Sequence, residues 1–250
     1  MAMVKRKYTY KPDLPDQRDH YFTPNPSVIA PPRVDLRSEM TPVEDQGNLG
    51  SCTANAVVGL IEHVDKVAAN PHYQNYSRFF VYYNERRLEG TISQDSGAYI
   101  RDAIKAMAKW GVCPELLWPY KIKPGAALYR DAAKRKALEY LRVNQVHSEI
   151  QSALAEGFPV QIGFSVYESF ESPEVARTGT VPMPKTTEQL LGGHSVVLVG
   201  YNTIDGTYLA RNSWGRDWGV RGYFTFPFEY VVNTDLAEDF WIVKRFAGVS

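Results

Sequence analysis

Two cysteines in 250 residues are too few for a disulfide framework. The chain also lacks a net charge. Twenty-eight Lys and Arg stand against 28 Asp and Glu, which leaves no electrostatic footprint for nucleic acid or an anionic membrane. No stretch approaches the ~20 apolar residues of a membrane span. The basic start, MAMVKRKYTYK, lacks the apolar core of a secretory signal. Internal repeats and low-complexity tracts are absent too. Neither a nucleic-acid nor a membrane partner is therefore expected. The sparing use of cysteine fits a reducing compartment, or an extracellular protein that manages without disulfides; it favours a cytoplasmic location over secretion with a signal already removed. What is present is a composition 44% hydrophobic and 22% charged, enough for a sizeable core in one large or two small domains.

The stretch Gln46 to Ala56, QGNLGSCTANA, organises the rest. Cys52 follows a Gly-rich bend (Gly47, Gly50) and precedes an apolar pattern in which Ala54, Val57/Val58, Ile61, Val64 and Ala68 recur at helical spacing. This places the cysteine in the first turn of a core helix. Unpaired N–H groups and the helix dipole there favour an anion, so a depressed thiol pKa and a nucleophilic thiolate are expected. The alternative for such a residue is a small buried cysteine with a packing role.

Two later stretches favour the chemical alternative. GGHSVVLVGYN sets His194 after a Gly pair and at the head of an alternating apolar run. RNSWGRDWGVRGYF sets Asn212 ahead of Trp214 and a second Trp-Gly pair. A thiolate needs a base or imidazolium beside it, and that ring needs a third group to orient it. Cys, His, Asn in this order, with well over a hundred residues from the first to the second, is the arrangement of papain-type enzymes. With VDLRSEMTPVEDQG (Val34 to Gly47) ahead of them, these motifs make the sequence resemble the papain-like cysteine peptidases over roughly residues 33 to 245. It departs from the common pattern at Leu49, where many members have a cysteine, and at Thr53, where many have Trp. The first removes a disulfide partner and the second a cleft aromatic; neither removes a catalytic atom.

The resemblance implies an α+β fold of two lobes: a helical lobe carrying Cys52 and an antiparallel β-rich, barrel-like lobe carrying His194 and Asn212, with the active-site cleft between them. By the same resemblance Cys52 attacks the scissile carbonyl, His194 keeps it ionised and protonates the leaving amine, Asn212 orients His194, and Trp214 shields their hydrogen bond. Gln46 and the Cys52 backbone N–H form the oxyanion hole. Ser96-Gly97-Ala98 stands where many members have Asn-Gly-Gly against the substrate backbone, and Ala98 in place of glycine puts close approach in question. Ser195 and Asp239 are candidates for the floor of the main specificity pocket. An inward Asp239 would accept a basic residue; an outward one leaves an apolar pocket. No metal or cofactor is implied, and the partner is a peptide or protein substrate. The activity implied is thiol-dependent peptide hydrolysis. The alternatives are acyl transfer by the same triad (peptide ligase or transamidase), or a catalytically dead peptide-binding pseudoenzyme, against which the intact set of Gln46, Cys52, His194 and Asn212 argues.

Along the chain, residues 1–33 stand apart from a peptidase domain at 34–250. They hold six of the sixteen prolines and no sustained period, so an extended surface course is expected. Tyr8, Tyr10, Tyr21, Phe22, Val28 and Ile29 are candidate anchors for docking on the body, either across the cleft as a short latency segment or elsewhere as a strap. Helical patterns follow Cys52, Ser77 and Tyr99; residues 126–140 have helical composition; Ser148 and Gln151 form a candidate capping box for a helix through Ala155. Alternation marks strands at 160–166, 194–201, 207–211, 222–226 and a last run around Phe240 and Trp241. The boundary between the helical and β-rich lobes is expected near residue 140. His20, His63, His72 and His147 lie outside any motif and are expected as surface or core-satisfied histidines.

Overall fold

The apolar stripe that begins at Cys52 forms helix α1, Cys52–Val67, in a computed structural model that describes residues 6–70, 74–118 and 123–247. His72 lies outside the described residues. Helix α1 is buried on nearly every side, Glu62, His63 and Asp65 included, so it is an axis of the core. Burial of those polar groups is tolerable because each is partnered. Glu62 accepts from Thr41 Oγ1 at 2.8 Å, the Tyr76 N–H at 3.0 Å and Arg78 Nη2 at 3.0 Å. Asp65 accepts the Tyr76 hydroxyl, and His63 Nε2 lies 3.1 Å from Glu39.

Helix α2, Arg78–Glu89, opens with Ser77 Oγ accepting the Phe80 N–H at 3.1 Å and closes on left-handed Gly90. Helix α3 is Ile100–Trp110. The helical composition of 126–140 yields only α4, Ala126–Ala132. Strand β2, Ala137–Arg142, takes the remainder, because its residues pair with a distant strand and tertiary pairing overrides local propensity. Helix α5, His147–Ala155, starts one residue earlier than the expected capping box, with no side-chain cap from Val146. Glu149 instead reaches back to the backbone N–H and side-chain amide of Asn144.

The second half is a sheet built from β3 (Val160–Tyr167), β4 (Leu190–Asn202), β5 (Thr207–Arg211), β6 (Tyr223–Pro227) and β7 (Ala237–Phe246), with short helices α6 (Pro173–Thr178) and α7 (Phe228–Val232). The order is β2-β7-β3-β4-β5-β6, and β1, Arg33–Asp35, pairs with β4; the pairings are antiparallel. Helices early and strands late give the expected α+β fold. Strand β3 is buried on both faces through Phe164. Helix α1 packs beside it, and Phe164 meets Phe170, Phe226 and Tyr230 edge-on.

The N-terminal segment is docked, on fewer anchors than its aromatics suggest. Tyr10 and Phe22 are buried and Val28 half-buried, whereas Tyr21 and Ile29 face solvent. In an extended chain neighbours point to opposite sides, so Phe22 inward turns Tyr21 outward. The Phe22 N–H donates to the Arg142 carbonyl at 2.7 Å, and the Arg142 N–H to the His20 carbonyl at 2.8 Å. This stretch therefore lies along β2.

Glu62→Gln keeps the shape of the side chain and removes the charge facing buried Arg78. Glu44 and Glu115 lie farther off, at 3.4 and 3.8 Å. The substitution is expected to cost about 3 kcal/mol of unfolding free energy. Urea unfolding checks it, and a midpoint unchanged from the native protein would refute the ledger for this pair.

Candidate active site

Ser51 gives α1 no side-chain cap, and no acidic residue occupies the first turn. The first-turn N–H groups around Cys52 therefore remain uncommitted within the helix. The preceding loop is pinned on both sides. Gln46 Oε1 accepts from Ser213 Oγ at 2.5 Å, and its Nε2 donates to the Leu49 carbonyl at 2.8 Å, which leaves one amide N–H free. Gln161, fully buried on β3, donates to the Thr53 carbonyl of α1 and to Ser195 Oγ of β4, both at 3.1 Å.

His194 and Asn212 arrive from β4 and the turn after β5. His194 Nε2 lies 2.9 Å from Asn212 Oδ1. That oxygen also accepts the Ser213 N–H at 2.8 Å, which fixes the amide with its carbonyl toward the ring. Nε2 must then carry the proton, and Nδ1 holds a lone pair. Nδ1 is buried with no hydrogen-bond partner. Trp214 stacks on the imidazole, centroids 4.9 Å apart at 28°. Trp214 in turn meets Trp218 edge-on.

Residues 6–11 lie across these groups. The Arg6 guanidinium sits over Trp214 at 4.1 Å. Tyr8 stands edge-on to both His194 and Trp214, and its hydroxyl donates to Glu171. The Tyr10 N–H donates to the Gly193 carbonyl at 3.1 Å, and the Lys11 N–H to the Ala98 carbonyl at 3.3 Å. Lys7 and Lys11 pair with Asp95 and Glu89 at 2.5 and 2.8 Å. Past the segment, an open groove of about 530 Å³ runs between Arg6, Glu171 and Trp218.

Burial reverses the expected acidity of the thiol. Burial pushes Cys52 up to about 12, against the lowering effect of its backbone hydrogen bond with Ser195. Cys113 is raised to about 12 by the same cause. Burial lowers His194 to about 4, opposed by Asn212 and assisted by Arg6. With the segment docked, thiol and imidazole are both neutral; loss of hydration outweighs the helix N-terminus.

The other sequence candidates sort by position. Thr9 presses its carbonyl against Gly97, where a Cβ would lie 1.9 Å from that oxygen and φ is +68. Glycine is thus needed at 97, and Ala98 meets the segment through its carbonyl, which accepts the Lys11 N–H. Ser96 Oγ turns away to Thr91 Oγ1 at 3.0 Å and supports the turn. Ser195, paired with Gly163 across β3 and β4, is beside the pocket wall and behind Cys52. Asp239 points inward: it is buried, and its Oδ2 accepts the Tyr10 hydroxyl at 2.5 Å. His63 and His147 have partners in Glu39 and Tyr208, and His20 is exposed. Among the described residues no group of three or more His, Cys, Asp or Glu is arranged to hold a metal.

Several site neighbours carry no sequence motif. Arg142 donates to Asp239 Oδ1, and Asp13 accepts from the Trp241 indole at 3.0 Å and the Arg101 N–H at 3.0 Å. Glu171 is equally silent in the sequence, and Ser213 lies inside the RNSW motif without a role of its own assigned there. One signal was available: Gly163 interrupts an alternating strand, a mark of close approach by another group.

Residues 30–238 match the family model described as papain family cysteine protease. An uncharacterized peptidase C1-like protein of Acanthamoeba polyphaga mimivirus is 39% identical, with 98% of this chain and 88% of that protein covered. Bovine pro-cathepsin H is 26% identical over 78% of this chain, which spans only 59% of its length. Among solved structures, xylellain, a cysteine protease from Xylella fastidiosa, superposes with a TM-score of 0.89 at 41% identity and covers 98% of this chain and 99% of its own. Digestive procathepsin L 3 of Tenebrio molitor, at 17% identity and a TM-score of 0.66 over 88% and 73% of the two chains, shares the fold.

Docking of residues 6–19 is expected to weaken as pH rises. Asp13 is raised above the usual carboxylate range by burial and by Asp239, against the Arg101 N–H, the Trp241 indole and the Arg101 charge. Glu238 is raised to about 7 by burial, Asp239 and Asp13, against Arg142. Arg142 also faces Asp13 and Asp19. A group raised in the docked state stabilises docking at low pH, and that contribution is lost as pH climbs through the docked value. Cys52 and His194 share one proton whether neutral or as an ion pair, so they cancel over this window. Asp95, raised by burial but lowered on balance by Lys7, Tyr82 and the Gly50 N–H, opposes only below the carboxylate range. Protection of the Tyr10 and Lys11 amides, corrected for intrinsic exchange, should fall between pH 5 and 8; a rise would overturn the assignment.

Proposed function

The chain belongs to the papain family of cysteine proteases and is a cysteine-type peptidase, and from that premise we propose that it cleaves peptide bonds with Cys52, His194, Asn212 and Gln46 and is held latent by its own residues 6–11. The observation that carries this reading is the bond from His194 Nε2 to Asn212 Oδ1. With Nε2 donating, the unpartnered Nδ1 is the basic atom, and it is available to a thiol proton once the cover lifts.

The steps follow from the atoms. His194 Nδ1 takes the Cys52 proton, and the thiolate, at the start of α1, attacks the peptide carbonyl. The developing oxyanion is met by the Cys52 backbone N–H and the free N–H of Gln46 Nε2. The imidazolium gives its proton to the leaving amine, after which the neutral ring activates water to release the acyl group. Asn212 holds the ring in the required tautomer, and Trp214 keeps water from their bond. An extended peptide fits where residues 9–11 now lie, with backbone partners at Gly193 and Ala98. Latency has a direct electrostatic basis, since neither dyad member is charged beneath the segment.

A chain lacking residues 1–11 keeps the Asp13, Asp19 and Phe22 contacts and exposes Cys52. It is expected to hydrolyse fluorogenic peptides at least tenfold faster than the full chain, with iodoacetamide labelling Cys52 before Cys113 at mildly acidic pH. In that shortened chain Cys52→Ala should abolish turnover, Asn212→Ala should lower it, and Gln46→Ala should lower kcat about 10²–10³-fold. Predominant transfer to an added amine would identify an acyl-transfer enzyme; peptide binding without turnover would identify a pseudoenzyme.

A further inference from the structure

Tyr10 enters a pocket whose walls are missing two side chains. A Cβ on Gly163 of β3 would lie 2.0 Å from the ring, and one on Gly193 of β4 would lie 2.8 Å from it. The aromatic ring occupies the volume those side chains would fill. At the bottom, β7 bulges. Gln161 pairs with Trp241 but Gly163 with Glu238, and Asp239 takes the extra place at φ 57. Such a bulge re-aims a side chain, and here the Asp239 carboxylate points up at the ring.

An acidic floor by itself favours lysine or arginine. Here Asp239 is already paired with an arginine. Arg142 Nη2 donates to Asp239 Oδ1, and its guanidinium lies over Trp241 at 5.1 Å. Arg101 sits on the same indole at 5.9 Å. An entering cation would find Asp239, the carboxylate that the Tyr10 hydroxyl reaches, already paired with Arg142, with Glu238 and Asp13 as the other carboxylates acting there. A phenol brings no charge and offers one O–H to the remaining Asp239 oxygen, as Tyr10 does at 2.5 Å. A phenyl ring fits the walls but leaves that buried oxygen with the Asp13 N–H, at 2.6 Å, as its remaining donor.

We infer that Arg142 is a specificity-determining residue: by pairing with Asp239 it converts the pocket from one for basic side chains into one for tyrosine. The inference rests on the proposed reading of the cleft as the peptide site. There it assigns the substrate class as extended peptides with a tyrosine in the position Tyr10 occupies, at the Gly193 and Gly163 walls. It also explains why the segment that covers the site carries Tyr10 and not an arginine opposite an acidic floor.

The segment is itself a ligand of the pocket, so selectivity is readable in the full-length chain without turnover. Tyr10 is replaced by Phe or Arg, with Arg142 native or changed to Leu or, as a more conservative alternative, Gln, and the rate of Cys52 alkylation measures opening. With Arg142 present, Tyr10→Phe should open the site about tenfold, the effect of one hydrogen bond to a charged acceptor. Tyr10→Arg should open it further. With Arg142→Leu or Arg142→Gln the order should reverse, arginine at position 10 closing the site better than phenylalanine. Comparison within each background removes the general loosening expected from losing the Arg142 contacts to Asp13 and Asp19, and melting curves confirm folding. Closure by Tyr10→Arg equal to that of native tyrosine, or an order unmoved by both Arg142 variants, overturns the inference. A second arm uses Tyr10→Ala in the full chain with fluorogenic peptides bearing Tyr, Phe or Arg before the residue that is cleaved. Tyrosine should be favoured about tenfold over phenylalanine, with arginine last. Equal rates overturn the tyrosine assignment and leave the peptidase intact. No hydrolysis of any peptide counts against the peptidase reading, while the alkylation series still decides the pocket.

Discussion

One buried amide holds the two halves of the site in register. Gln161 stands on β3 and spends its two N–H groups on the first turn of α1, at the Thr53 carbonyl, and on β4, at Ser195 Oγ. Cys52 and His194 are the immediate chain neighbours of those two residues. Cys52 and His194 thus come from segments more than a hundred residues apart, and their relative position is referred to one rigid side chain in the core. No loop intervenes in that linkage. A site referred to packed helix and strand holds its geometry more closely than one carried on loops.

The electrostatics of Cys52 and His194 is set by their burial. Helix α1 offers its uncapped N-terminus and would favour a thiolate, yet both residues are buried, away from the water that an ion pair needs. Between those two effects burial is the larger, and both groups sit neutral. The cover is held by side chains at each step: Arg6 on Trp214, Tyr8 at Glu171, Tyr10 at Asp239, with Lys7 and Lys11 on acidic residues of the helical lobe. Under the proposed reading, the same water exclusion would strengthen the charges of Cys52 and His194 once a substrate replaced the cover.

Much of this was legible in the sequence because short motifs encode local chemistry. QGNLGSC gave a glycine bend, an unpaired helix start and a thiol; GGH and RNSW gave the strand-borne ring and its amide partner. The fold class followed from the change of period along the chain. What stayed illegible depends on long-range partners. Residues 137–140 read as helix until Phe246 and Val243 claim them as strand. Ser148 looked like a cap, but the helix begins one residue before it, at His147, with no side-chain cap. The thiol looked acidic because its sequence neighbours promise a helix dipole, whereas its burial is a property of the folded core. Asp239 could be placed near the pocket, but its charge balance depends on Arg142, nearly a hundred residues away with no motif around it.

The covering residues are continuous through Asp13, Asp19 and Phe22 with β1, and β1 is paired to β4, the strand that carries Gly193 and His194. The ligand is thus tethered to the strand it covers. A tether of this kind presents its ligand at an effective concentration in the millimolar range, so modest contacts suffice to keep the site filled. Closure of this sort is a unimolecular equilibrium, indifferent to dilution. A single cut in the chain between Lys11 and Arg33 would change its order of reaction and make the cover an ordinary inhibitor, free to diffuse away.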